Sequence, residues 1–341
     1  MIDEAQVSAG TQAGITVIMP AHNAAHYLKR SLPPLAEMLR NGDILELVVV
    51  DDQSQDDTAE VAAAHGARVI KMERNGGPGA ARNHAAVTAK GELLWFIDAD
   101  VVVHPGGPAI IRETLQDRTV DAVFGSYDET PPALNFASQY KNLTHRFYHQ
   151  RAKKESSTFW SGCGAVRRDV FRRMGGFDVK MFRKPSVEDI ELGYRVRAAG
   201  GRVLLRSDML STHLKMWTVR EVVYTDIFRR ALPWSRLLIK QGEVTDDLNV
   251  NTAERVRALL AGVMFLSVVL GLMFPMFWFA PLIAALLVFW ANSEFFRFMM
   301  KARGFVFAIG SMLFHQIYYI YSGIVFSYAV MEDTLRNRAR V

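Results

Sequence analysis

Along the first part of the chain, short apolar runs alternate with stretches of helical period. Ile15-Thr16-Val17-Ile18-Met19, Leu45-Glu46-Leu47-Val48-Val49-Val50, Arg68-Val69-Ile70 and Leu93-Leu94-Trp95-Phe96-Ile97 are rich in β-branched and large apolar residues, the composition of strands buried in a sheet. Between them, Tyr27 to Leu39, Thr58 to His65 and Gly79 to Ala89 place apolar residues at helical spacing. The alternation predicts an α/β domain over residues 15–214: a largely parallel sheet with helices on both faces. In such sheets ligands gather at the carboxyl ends of the strands. Residues 1–14 read as a polar extension.

The end of the chain follows another rule. Ala258 to Trp290 holds no charged residue, and neither does Phe305 to Met331. A helix needs roughly 20 apolar residues to cross a bilayer, so residues 255–331 predict transmembrane helices: a hairpin over 257–292, broken at Pro275 and Pro281, and a helix over 305–331. A buried helical core of a soluble domain is the competing reading. Arg255 and Arg257 before the first run, and Arg297, Lys301 and Arg303 after the second span, put both ends of the hairpin on the cytosolic side. Three spans would carry Arg336, Arg338 and Arg340 of the 332–341 tail to the other side, so span number stays open.

Composition narrows the class. With 341 residues, 50% of them hydrophobic and 22% charged, the chain can bury a large core and is not disordered. A single cysteine, Cys163, excludes an intrachain disulfide, and the start lacks the apolar run of a secretory signal. Both predict a reducing, cytosolic compartment for the α/β domain. Basic residues cluster beside the apolar runs: between Lys215 and Lys240 the chain has Lys215, Arg220, Arg229, Arg230, Arg236 and Lys240 against Glu221 and Asp226, with Trp217 and Trp234 near the two ends. Residues 215–254 therefore predict basic interfacial helices against an anionic membrane surface rather than a nucleic-acid site. Phe136, Tyr140, Leu143 and Phe147 form a second stripe, which reads more readily as a core-facing helix side than as membrane contact.

Acids fall where ligands are expected. Val50 is followed by Asp51-Asp52-Gln53-Ser54-Gln55-Asp56, and Ile97 by Asp98-Ala99-Asp100. If the strand stays extended, Asp98 and Asp100 share one side, where uncompensated repulsion raises a pKa or destabilises the edge. A divalent cation, Mg2+ or Mn2+, removes the repulsion and leaves positions open for phosphate oxygens. His213 is a further candidate metal ligand, with a hydrogen-bonded structural role as the alternative.

The ordered set Val17-Ile18-Met19-Pro20-Ala21-His22-Asn23, Val49-Val50-Asp51-Asp52, Asn75-Gly76-Gly77-Pro78-Gly79-Ala80-Ala81-Arg82-Asn83, Phe96-Ile97-Asp98-Ala99-Asp100, Gly162-Cys163-Gly164, Gly175-Gly176-Phe177-Asp178 and Val187-Glu188-Asp189-Ile190-Glu191-Leu192 resembles the family-2 glycosyltransferases over about residues 15–214. The resemblance implies a glycosyltransferase-A fold, Rossmann-like, followed here by an α-helical membrane domain. It implies a nucleotide-sugar donor, with Pro20, Ala21 and Asn23 lining the nucleoside pocket and Asp51 and Asp52 on base and ribose. By the same resemblance Arg82 closes over the base, Asp98 contacts the nucleotide, Asp100 binds the metal, and Asp189 is the catalytic base of an inverting transfer. Gln53 stands where a glycine is common and predicts an altered turn. Glu188, Gly162, Cys163 and Trp234 are candidates for the acceptor side, Cys163 as small packing beside it. The expected acceptor is a polyprenyl phosphate, a lipid-linked glycan or a glycolipid at the cytosolic face. A processive polysaccharide synthase and an inactive nucleotide-sugar-binding membrane scaffold are the alternatives. A dinucleotide-dependent oxidoreductase is disfavoured, because no Gly-x-Gly-x-x-Gly follows the first strand.

Overall fold

The computed structural model describes residues 12–182, 184–242 and 248–338. Most of the 1–14 extension, the side chain of Arg338 and all of Arg340 lie outside the described residues. The chain runs β1 (Ile15–Ala21), α1 (Ala25–Asn41), β2 (Glu46–Asp51), α2 (Thr58–Ala64), β3 (Arg68–Lys71), α3 (Gly77–Thr88) and β4 (Leu93–Ile97). It continues with β5 (Val101–Val103), α4 (Gly107–Gln116), β6 (Ala122–Tyr127), α5 (Phe136–Arg151), β7 (Glu155–Ser156), β8 (Cys163–Arg167), α6 (Arg168–Arg173), α7 (Glu188–Ala198) and β9 (Val203–His213). These strands form one sheet in the order β3-β2-β1-β4-β8-β6-β9-β5, with β7 pairing beside β9.

The first half of the sheet is parallel, as the sequence predicts: β1 pairs with β2 and β4, and β2 with β3. Beyond β4 the sheet is mixed. β8 runs antiparallel to both β4 and β6, while β9 is parallel to β6. Alternate residues feed two cores. Val17, Met19, Trp95 and Ile97 pack with Leu28, Leu32 and Leu35 of α1, whereas Ile18, Val50 and Phe96 pack with Ala81, Ala85, Phe171 and Phe177 on the other face. This period-two division is why the strands read as continuously apolar.

After β9 come α8 (Val219–Tyr224), a π-helix over Thr225–Ala231 and α9 (Leu232–Gln241). Four helices close the chain: α10 (Thr252–Met273), α11 (Phe279–Ala291), α12 (Ser293–Arg303) and α13 (Phe305–Arg338). A 3₁₀ turn at Pro275–Phe277 separates α10 from α11, and Arg257 Nε donates to the Ala291 carbonyl (2.9 Å), closing the other end of the pair. Among the described residues only α10 is by itself long and apolar enough to cross a membrane; the segment from Pro275 to Ala291 qualifies with α12 only as a pair bent by 66°. α13, over the run 305–331 expected to span, does not qualify, because His315, Gln316 and its tyrosines dilute the apolar run. Just 17% of the apolar window of α10 is buried, unlike a helix at the centre of a soluble core. The stripe on α5 does face a core, but not that of the sheet: Tyr140, Leu143 and Phe147 pack on Phe295 and Met299 of α12 and Ala308 of α13.

One buried carboxylate ties the amino-terminal end of the parallel strands together. Glu46 of β2 accepts hydrogen bonds from Thr16 Oγ1 (3.1 Å), the Lys90 backbone N–H (3.1 Å) and Arg68 Nε (2.8 Å). Burial alone would raise its pKa, but these donors and the Arg68 charge outweigh it and hold the carboxyl below its usual value. A depressed folded-state pKa stabilises the fold above the unfolded value, about 4.3 for Glu, and that stabilisation is lost as pH falls through the folded pKa. Glu46→Gln is expected to cost about 1–3 kcal/mol near neutral pH. In thermal unfolding, the gap between wild type and variant should narrow below about pH 4; a gap independent of pH would remove Glu46 from this role.

Candidate active site

The carboxyl ends of β1 and β2 are stitched to each other. The Asp52 N–H donates to the Ala21 carbonyl (2.8 Å), the Asn23 N–H donates to Ser54 Oγ (2.9 Å), and Asn23 Oδ1 accepts from the Gln55 N–H (2.8 Å). Asp51 Oδ1 accepts from the Ser54 N–H (2.8 Å), and the two Asp52 oxygens accept from the Gly76 and Gly77 N–H groups, each at 2.8 Å. Asp52 thus clamps the glycine turn that starts α3. Pro20, Ala21, Asn23, Asp51 and Asp52 share this edge. Gln53 has φ 64°, a left-handed conformation that suits glycine. Its side chain compensates, accepting from the Asn75 N–H (3.2 Å) and donating to the Glu73 carbonyl (3.4 Å).

Asp98 and Asp100 come together by a route other than strand period. β4 ends at Ile97, and the Val101 N–H donates to the Asp98 carbonyl (3.0 Å), so the two acids stand on a tight turn. The turn leans on β8, where the Asp98 N–H donates to the Gly162 carbonyl (3.2 Å). A Cβ on Gly162 would lie 2.6 Å from the Trp160 indole, so the close approach requires glycine. Cys163, opposite Ile97 and fully buried, is a packing residue whose thiol burial pushes up to about 12.

Charge at this edge is concentrated. Arg82, 2% exposed, is ion-paired with Asp98, and its Nη1 lies 3.7 Å from Glu188. The guanidinium is thus held between two acids, over the Phe177 ring at 5.5 Å. Asp189 stands in the first turn of α7, where Oδ2 accepts from the Ser161 N–H (3.0 Å) and Ser161 Oγ (3.2 Å). Burial raises the Asp98 pKa, and although Arg82 opposes it, the charges of Asp100 and Asp189 keep the net shift upward. Glu188 moves the same way, through burial and then Asp189, against Arg82. Asp100 moves oppositely: burial would raise it, but the charge and hydrogen bond of His213, with Lys215 behind, hold it down. Carboxyls pushed apart in pKa at one site mark an arrangement suited to acid–base and charge chemistry.

His213 ends β9 with Nε2 3.4 Å from Asp100 Oδ2. Its ring is stacked on Tyr127 (centroids 4.7 Å apart), and Nδ1 lies 3.2 Å from Asn142 Oδ1. The Asn142 amide is oriented because Nδ2 donates to the Ser138 carbonyl (3.2 Å). Oδ1 therefore faces the imidazole and Nδ1 carries a hydrogen, which leaves Nε2 as the ring atom directed at the Asp100 carboxylate. Nε2 and the carboxylate oxygen can share a proton or, with that proton gone, a divalent cation, for which an oxygen–nitrogen donor pair suits Mn2+ or Mg2+, the former more readily accepting imidazole. Asp100 and His213 thus fit a divalent ion, although no cluster of three potential ligands forms among the described residues.

Trp234 requires a correction. It is 7% exposed, donates from Nε1 to Tyr194 Oη (2.9 Å) and packs α9 on α7, so it is not open to an acceptor. Ser161, Asn142 and Tyr127 were not singled out from the sequence. None carries a local motif, and only the antiparallel half of the sheet brings them to the acids.

Residues 16–175 match the family described as Glycosyl transferase family 2. The succinoglycan biosynthesis protein ExoU of Rhizobium meliloti (strain 1021) is 36% identical over 105 residues, covering 29% of this chain and 30% of that protein. Glycosyltransferase GlyG of Streptococcus pneumoniae serotype 4 is 28% identical over 118 residues, 33% of this chain and 38% of the relative. The matched part therefore spans about a third of the length of these curated relatives. Mannosyltransferase PcManGT from Pyrobaculum calidifontis, solved with GDP-Man and Mn2+, has the same fold over 92% of this chain and 86% of its own, with a TM-score of 0.55 at 18% identity. Residues 16–175, just under half of the chain, thus resemble glycosyltransferase family 2, and the likeness of fold to PcManGT extends into the C-terminal helices.

The Asn142–His213–Asp100 chain makes a direct prediction. Asn142→Leu removes the acceptor that fixes the imidazole and is expected to weaken Mn2+ binding about ten- to hundredfold. Titration calorimetry reads the change, with thermal unfolding as the check on folding; unchanged Mn2+ affinity in a folded variant would take His213 away from the ion.

Proposed function

We propose that the chain is an inverting glycosyltransferase, moving a sugar from a nucleotide-sugar donor to a membrane-associated acceptor at the cytosolic face. The observation that carries this reading is the juxtaposition of Asp189, held by Ser161, with the Asp100–His213 pair at one sheet edge. An acceptor hydroxyl attacks the anomeric carbon from the side opposite the nucleotide. The new carbon–oxygen bond forms as the bond to the leaving phosphate oxygen breaks, inverting the configuration. Asp189 takes the hydroxyl proton, general-base help worth typically 10²–10⁴-fold, and no covalent enzyme intermediate is needed. Asp100 and His213 would hold a divalent cation, which would supply charge stabilisation to the departing diphosphate. Pro20, Ala21, Asn23, Asp51 and Asp52 line the nucleoside side, and Asp98 faces the nucleotide. Arg82 keeps Asp98 and Glu188 in place and offsets their charge.

The membrane assignment draws on α10–α13. Leu259, Leu266, Leu272, Leu282, Leu286 and Trp290 are all exposed, an apolar surface larger than a soluble monomer normally shows to water. Arg255 and Arg257 stand at one end of α10, and Arg297, Lys301 and Arg303 on α12, the pattern of a cytosolic boundary. On this reading residues 15–214 are the catalytic domain, 215–254 an interfacial segment and 255–331 the membrane domain, over which α13 is both anchor and partner of α5.

Two outcomes test these assignments. Asp189→Asn, nearly isosteric, should leave nucleotide-sugar binding intact and lower sugar transfer about 10²-fold or more; near-wild-type transfer sinks the base, and failure of the wild type to bind any UDP-, GDP- or dTDP-sugar sinks the enzyme. The full chain should remain in the membrane fraction through a carbonate wash, because apolar burial in lipid is not screened by salt. Its release into the soluble fraction would return α10 and α11 to a water-soluble protein.

A further inference from the structure

Past His213 the chain stays next to the acid site. The Leu214 N–H donates to the Asp100 carbonyl (2.8 Å), and the following segment walls an open pocket of about 760 Å³ lined by Lys215, Trp217, Arg220, Glu221 and Tyr224, among others.

The lining is cationic in effect. The Glu221 carboxylate is turned back on its own helix start, accepting from the Thr218 N–H and Oγ1 at 2.8 Å each. Lys215 and Arg220 form no ion pair among the described residues. The Lys215 ammonium is held 3.8 Å from the centroid of the Trp217 ring, a cation–π contact that fixes its position without neutralising it. Trp217 is 8% exposed, and its buried indole N–H has no acceptor among the described residues. With neither cation in a close ion pair, the lining sets Lys215 and Arg220 against the single carboxylate of Glu221, a balance that suits an anion.

The surroundings say what carries that anion. Met216 (68% exposed), Val219 (49%) and Phe228 (54%) flank the cations and present apolar side chains to solvent. The same segment is bolted to the apolar helices, since Asp226 of the π-helix is ion-paired with Lys141 of α5 and accepts from Tyr321 Oη of α13 (2.9 Å). A free phosphate has no use for an apolar rim continuous with such helices, whereas an amphiphile uses both halves. We propose that this pocket holds the phosphate of a lipid-borne acceptor, with Lys215 and Arg220 as its charge partners and Met216, Val219 and Phe228 beside its chain. The proposal deepens the glycosyl-transfer reading and rests on it for the word acceptor, but binding can be measured without any transfer.

The test uses the full chain in phosphatidylcholine nanodiscs, titrated separately with farnesyl phosphate, farnesol and inorganic phosphate, and with nucleotide sugars in parallel. Farnesyl phosphate should bind well ahead of the other two. Arg220→Gln, at an exposed position, should weaken it about tenfold, and Lys215→Gln with Arg220→Gln further, as expected for charge-assisted contacts; variants still binding nucleotide sugar are folded. Equal affinity for farnesol overturns the phosphate site, equal affinity for inorganic phosphate overturns the lipid source, and unchanged farnesyl phosphate affinity in both variants overturns the residues. Nucleotide-sugar binding without farnesyl phosphate binding removes this pocket and leaves the enzyme reading standing. Farnesyl phosphate binding without any nucleotide sugar does the reverse.

Discussion

Arg82 is the charge on which the acid edge depends. Asp98, Asp100, Glu188 and Asp189 converge there, and a buried guanidinium between Asp98 and Glu188 makes the convergence tolerable. Its seat is prepared by the rest of the domain. α3 begins at the glycine turn clamped by Asp52, and the far side of the guanidinium rests over Phe177, which Asn83 holds by a pair of 2.8 Å bonds to the Phe177 backbone. A buried ion pair contributes little net stability when its desolvation is counted, yet removing one partner leaves uncompensated charge. The arrangement is therefore one of mutual obligation: the acids fix the arginine, and the arginine permits the acids.

The helical region is joined to this edge through polar contacts as well as apolar packing. On α5, Tyr140 and Tyr148 meet His315 of α13 at 2.7 and 3.1 Å, and Tyr148 also donates to Glu254 of α10 (2.8 Å). On the same helix Asn142 orients His213 and Lys141 pairs with Asp226. α5 thus has one side on His213, the proposed metal ligand, and another on helices read as membrane-embedded. On the proposed membrane reading, a rigid element shared in this way would fix the distance between bilayer and reacting groups, the positional control that an acceptor confined to a membrane needs.

How much of this was legible in sequence follows from which contacts are local. The parallel strands β1 to β4 were visible because both faces are buried and each run is continuously apolar, and the acids at their ends were visible because a polar cluster after such a run is conspicuous. The antiparallel half was not. β8 enters between β4 and β6 although it comes later in the chain than both, and nothing in its five residues announces that position. Ser161 and Asn142 are invisible for the same reason, since their partners lie 28 and 71 residues away. Asp98 and Asp100 were rightly paired for a reason that fails, because the strand ends before them and a turn does the work. Trp234 was misplaced by its basic neighbours; an indole next to arginines looks exposed until Tyr194 is brought to it by α7.

The π-helix between α8 and α9 has a consequence for the phase of the segment it interrupts. Its hydrogen bonds close one residue later than those of an α-helix, so it acts as an inserted register step in an otherwise continuous helical rod from Val219 to Gln241. Loss of one residue there would turn everything beyond it by about 100° and draw it back by about 1.5 Å. Asp226, which faces Lys141 and Tyr321, and Trp234, which faces Tyr194, could then no longer both find their seats. The irregular turn is thus a phase shifter: it lets one rod dock two unrelated surfaces, one on the helices read as membrane-embedded and one on the domain that bears the acids, whose angular separation an unbroken α-helix would not match.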